Sequence, residues 1–149
     1  MSRRLLTVAA AAAASVVTAA LCASPASAVI RPNEPQPDYN LVCNATGVRG
    51  TAQIWDWYSG ATSVPINFIV TDTAADGHHV EIRVVGRTDG GGLITWPWHS
   101  VTTGNGTVGI YSSTANYSAG MYDLGIEAGT FEGSDMLHSC FDWIRAGTT

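Results

Sequence analysis

Two pairs of tryptophans are the residues best suited to chemistry. Trp55 and Trp57 are two positions apart, as are Trp96 and Trp98. Successive side chains on a β-strand alternate faces, so each pair is expected to project from one face of its strand. Flat indoles on one face stack against the apolar faces of sugar rings. Gln53 and Asp56 beside the first pair can bond to hydroxyls. Trp55, Trp57, Trp96 and Trp98 are therefore the candidate binding residues. The competing use of the same residues is packing, because an indole buries a large apolar area and fills sandwich cores. Trp143, three residues after Cys140, is expected in the core beside a disulfide.

The other candidate chemistries are weaker. Gly104–Gly109 spells G-x-G-x-x-G. Cradling a pyrophosphate also takes a strand before that motif and a helix after it. Here Ile110, Tyr111, Ser112 and Ser113 follow, a strand-like run, so Asn105-Gly106 reads as a hairpin turn. His78 and His79 are adjacent and would point to opposite faces of a strand. Zinc-ligand spacing is absent, as is a D-x-D-x-D-G calcium loop, and Asp72 and Asp76 read as turn formers. The G-x-S-x-G elbow is missing around Ser118. Pairing any two of Asp56, Asp123, Glu127, Glu132, Asp135 and Asp142 as glycosidase acids would be arbitrary. No catalytic residue, metal ligand or cofactor is assigned.

The elements that must hold these residues read as short strands. The sequence predicts strands at 41–43, 51–58, 65–72, 80–88, 93–101, 107–112, 121–128 and 139–144. Pro97 confines the fifth to an edge or a bulge. Ile66, Phe68 and Val70 alternate with polar neighbours, as do Val80, Ile82 and Val84, and Tyr122, Leu124, Ile126 and Ala128. Turn residues recur at intervals suited to an all-β domain, and no stretch holds a 3.6-residue period. The expected fold is an antiparallel β-sandwich, jelly-roll or immunoglobulin-like, over residues 40–149, after a Pro-rich linker at 29–39.

The first 28 residues have the parts of an export signal. Arg3 and Arg4 precede an apolar run from Leu5 to Leu21, and Ala26-Ser27-Ala28 supplies the small residues a signal peptidase requires. Cleavage is expected after Ala28. The run is Ala-rich and short for a membrane span, so no membrane insertion is expected. Leu21 before Cys22 is a poor lipidation context. Export places Cys43 and Cys140 in an oxidising compartment, where pairing is the default. Losing both leader arginines moves the formal charge from −5 to −7, which argues against nucleic-acid and anionic-membrane partners. The chain has no lysine, which excludes Schiff-base and Ser-Lys chemistry.

The stretch from Thr71 to His78, TDTAADGH, is followed by a strand, Trp-containing strands and a late cysteine. From about residue 64 to 149 the chain resembles small secreted β-sandwich proteins of actinomycetes. The resemblance implies an extracellular compartment and a sandwich fold, and no activity. The function expected is a secreted, non-catalytic domain that binds a polysaccharide or another cell-envelope component. The alternative is a small secreted hydrolase. A protease inhibitor would need a rigid exposed loop, and Asp89-Gly90-Gly91-Gly92 is too flexible to serve as one.

Overall fold

The alternation of apolar and polar residues resolves into nine strands: β1 (Tyr39–Ala45), β2 (Val48–Ile54), β3 (Ala61–Asp72), β4 (His79–Arg87), β5 (Leu93–Thr95), β6 (His99–Val101), β7 (Val108–Met121), β8 (Asp123–Glu132) and β9 (Asp135–Trp143). The computed structural model describes residues 36–144 except Thr103; the expected leader, its cleavage site and most of the linker lie outside that range. No helix occurs among the described residues.

The strands form two antiparallel sheets packed as a sandwich. Sheet 1 has the order β1-β2-β3-β7. Sheet 2 has the order β5-β4-β8-β9, with β6 on the same edge of β4 as β5. The chain changes sheet between β3 and β4, between β6 and β7, and between β7 and β8. With β2-β3-β7 opposite β4-β8-β9, this is the connectivity of the immunoglobulin-like alternative. β1 adds a strand outside β2.

The core forms where the inward faces meet. Ile54, Ile66, Phe68 and Val70 of sheet 1 pack against Val80, Ile82, Leu124 and Ile126 of sheet 2, all essentially buried. The sheets approach closely at Gly50. A Cβ on Gly50 would stand 2.8 Å from that of Ala128. Gly50 pairs with Cys43 in sheet 1, and Ala128 pairs with Cys140 in sheet 2. The two smallest residues thus sit beside the two cysteines. Packed sheets ordinarily lie about 10 Å apart, yet the Cys43 and Cys140 Cα atoms are 5.7 Å apart and their sulfurs are bonded. The disulfide joins β1, at an edge of sheet 1, to β9, at an edge of sheet 2. Beside it the Val42 N–H donates to Asp142 Oδ2 at 2.8 Å.

Several expected strands come out differently. The strand expected at 51–58 ends at Ile54, and the strand expected at 93–101 is split by a non-strand stretch at 96–98. The strand expected at 107–112 continues to Met121. Asp56 ends the first of these: its φ of 56° is left-handed, and its N–H donates to Asp38 Oδ2 at 2.6 Å. Pro97 ends the second by withholding a ladder donor.

Candidate functional site

Both tryptophan pairs therefore lie off the regular strands, and strand alternation does not place them. Trp55 and Trp57 follow the end of β2, and Trp96 and Trp98 join β5 to β6. All four are half-buried. Trp57 and Trp96 pack against the main core. Trp96 lies so close over Gly86 that a Cβ there would meet its ring at 3.2 Å. Trp98 is on the opposite side of sheet 2, over the Arg83 guanidinium at 4.2 Å and edge-on to Phe131 at 5.2 Å. The expectation that Trp96 and Trp98 share a face is thus corrected.

Trp143 is corrected as well. It lies outside the main core on the outer face of sheet 2, parallel to Phe141 and under the Arg87 guanidinium at 4.6 Å. An odd spacing from Cys140, whose side chain turns inward, requires the opposite face. Together with Trp98 it belongs to a second, smaller layer. Val85, Glu127 and Phe131 point outward from sheet 2, and all three are buried.

Trp55 is placed differently. With Asp56, Pro65 and Asn67 it lines an open cleft of about 380 Å³ on the outer face of sheet 1. The backbone builds this cleft. The Trp55 N–H donates to the Pro65 carbonyl at 3.2 Å, the last bond between the two chain segments before Asp56 turns away. A residue's N–H and C=O face the same neighbour in an antiparallel sheet, so the donor Pro65 lacks would have faced the Trp55 carbonyl, at the last paired position before the two segments part. Proline is thereby tolerated in a strand that is otherwise central. Asp56 is the single non-glycine residue with positive φ among the described residues. Gln53 pairs with Asn67 across β2 and β3 and is exposed beside it.

Pro65 and Asn67 were not among the sequence candidates. Asn67 alternates with buried Ile66 and Phe68, which made its exposure readable. Its position beside Trp55 depends on the β2–β3 register, which the sequence does not state.

The remaining candidates are accounted for by local structure. Gly104 and Gly106 have φ of +93° and +81°, and the Thr107 N–H donates to the Gly104 carbonyl at 3.0 Å, closing a tight turn that leads directly into β7; because β6 and β7 lie in different sheets, it is a turn between sheets and not the hairpin expected. His78 Nδ1 lies 3.3 Å from Asp76 Oδ2, while His79 stacks on Phe131 and reaches Glu81 at 3.3 Å. The His78 backbone N–H, bonded to Asp76 Oδ1 at 3.0 Å, holds the Asp76 carboxyl below the ordinary carboxylate value. Asp72 is buried, with Oδ1 accepting the Ala74 N–H. No group of three or more His, Cys, Asp or Glu capable of holding a metal occurs among the described residues.

The chain matches no protein-family model, no curated protein and no solved structure. The functional reading therefore rests on the chemistry of its own surface.

Proposed function

We propose that this is an exported, non-catalytic binding domain whose Trp55 cleft takes a polysaccharide. One observation carries the reading: a half-buried indole, a carboxylate and the Asn67 amide converge on one open cleft with an apolar proline in its lining. Sugar recognition needs that combination. The indole covers the C–H face of a pyranose, and amide and carboxylate groups take the hydroxyls at the ring edge. Binding rather than cleavage is favoured by the count of acids, since glycoside hydrolysis ordinarily uses two carboxyl groups flanking the bond. Asp56 supplies one to the lining of this cleft.

The test is retention on insoluble polysaccharides: cellulose, chitin, xylan and purified bacterial cell wall. The wild-type chain is expected to be retained on at least one of them, and Trp55→Ala to wash through with an unchanged melting temperature. Equal retention of Trp55→Ala and wild type would remove the cleft from consideration.

A further inference from the structure

The Trp55 cleft is one end of a larger patterned surface, and the pattern narrows the ligand. Ladder register places Asn40, Gln53, Asn67 and Ser112 side by side across β1, β2, β3 and β7, all four exposed. One step further along the strands, Val42, Thr51, Ile69 and Ile110 form a parallel row. Its apolar members are open to solvent: Val42 is 46%, Ile69 37% and Ile110 72% exposed. On the other side of the amide row, Trp55, Pro65 and Thr114 form a third. A line of hydrogen-bonding groups thus runs across all four strands of sheet 1 between two lines with apolar surface.

We propose that this face binds an extended, uncharged, β-1,4-linked polysaccharide chain laid across the strands, with about one sugar to each. The proposal rests on the glycan-binding reading of the Trp55 cleft and names its ligand class. Three physical arguments support it. Neighbouring strands lie about 4.8 Å apart, close to the advance of one sugar along an extended β-1,4-linked chain, so each residue of the amide row meets one sugar; successive sugars are turned over, and the two alternating hydroxyl-bearing edges both suit amide and hydroxyl partners that can donate and accept. The side rows offer apolar surface to the C–H faces of the same rings. Charge supplies the third argument. The polar row is amide and hydroxyl throughout, Asp38 and Asp56 stand at the Trp55 end, and the chain as a whole is acidic. Near those two carboxylates a polyanion such as a uronate or phosphate polymer is repelled, and a neutral chain is not.

Sheet twist limits the form of the ligand. Adjacent strands rotate by roughly 20–25° relative to one another, so a row crossing four of them cannot lie flat on a crystalline surface. A single chain can follow it.

The experiment is calorimetric titration of the mature protein with cello- and chito-oligosaccharides of two to six sugars. Affinity is expected to rise by roughly tenfold or more between the disaccharide and the tetrasaccharide and then to level. Asn40→Ala and Ser112→Ala, at opposite ends of the row, should each weaken tetrasaccharide binding several-fold. Affinity already maximal at the disaccharide would confine the ligand to the Trp55 cleft and overturn this proposal, leaving the cleft reading intact. Absence of binding to every oligosaccharide and every insoluble polysaccharide would overturn both. A stable dimer hiding Ile69 and Ile110 would assign the face to a second copy of the chain and overturn the proposal in that way.

Discussion

Gly50 and Ala128 face each other across the two sheets so closely that a Cβ on Gly50 would be 2.8 Å from that of Ala128 and 3.0 Å from Ile82 Cδ1. Side chains essentially never approach to such distances, so a larger residue at Gly50 must part the sheets beside the Cys43–Cys140 bond. Gly50→Val is expected to cost at least about 1–3 kcal/mol, the usual range for overpacking. Urea unfolding followed by tryptophan fluorescence measures it. A variant as stable as wild type would mean that the sheets are not held together at this point.

The disulfide itself joins residues 97 apart in sequence. A crosslink closing so long a loop is worth about 4–5 kcal/mol in the chain-entropy model. The double variant Cys43→Ala/Cys140→Ala is expected to lose most of that amount. Alkylation of unreduced native protein should label neither Cys43 nor Cys140. Labelling of either would show that the bond is not formed.

Strands whose buried residues alternate with polar ones were legible in the sequence. Ile66, Phe68 and Val70 in β3, and Val80, Ile82 and Val84 in β4, are buried as their period of two requires. Trp55 to Tyr58 were misplaced because the strand ends on a left-handed Asp56, a conformation aspartate tolerates without signalling it. Glu127 reads in the sequence only as a polar residue alternating with Ile126 and Ala128, and its burial depends on a cover assembled from distant parts of the chain. The row Asn40–Gln53–Asn67–Ser112 was not readable, since it exists only once three strand registers are fixed.

Asp76 gives a pH signature. Its carboxylate accepts the His78 backbone N–H and lies beside the His78 ring, so its folded pKa falls below the unfolded value. The stability this contributes is fully present above the unfolded pKa and is lost as pH falls through the folded one. NMR titration should find Asp76 ionised to lower pH than an unpaired aspartate, and Asp76→Asn should flatten the acid limb of the stability curve. Titration at or above the ordinary value would contradict the geometry.

On the outer face of sheet 2, Arg83 holds Glu127 through two nitrogens on one oxygen, at 2.7 and 2.6 Å, with Trp98 laid over the guanidinium. The Glu127 side chain is 3% exposed and that of Arg83 21%, so one charge is buried and the other is partly wet. Removing the arginine strands the carboxylate. Arg83→Ala is expected to cost about 2–4 kcal/mol, somewhat less than for a fully buried pair because solvent reaches the guanidinium. Arg83→Met with Glu127→Leu should recover most of that loss. If the double variant were no better than Arg83→Ala alone, stranded charge would not be the source of the cost.

The tryptophans should separate by role. Trp96 packs on the core and fills the space over Gly86. Trp96→Ala removes that contact and leaves a void, and a cost of about 2–4 kcal/mol is expected, below the full value for a wholly buried indole because the ring is only half-buried. Trp98→Ala uncovers Arg83 and Phe131, and should cost about 1–2 kcal/mol from the lost cation–π contact and apolar cover. Trp55 sits in the wall of an open cleft, so Trp55→Ala should change stability by less than about 1 kcal/mol while abolishing retention on polysaccharide. Urea midpoints and retention, measured on the same three variants, distinguish these roles. A Trp55→Ala variant destabilised as much as Trp96→Ala would make that indole a packing residue. A Trp96→Ala variant that stays stable but loses retention would move the binding surface from sheet 1 to the loop between β5 and β6.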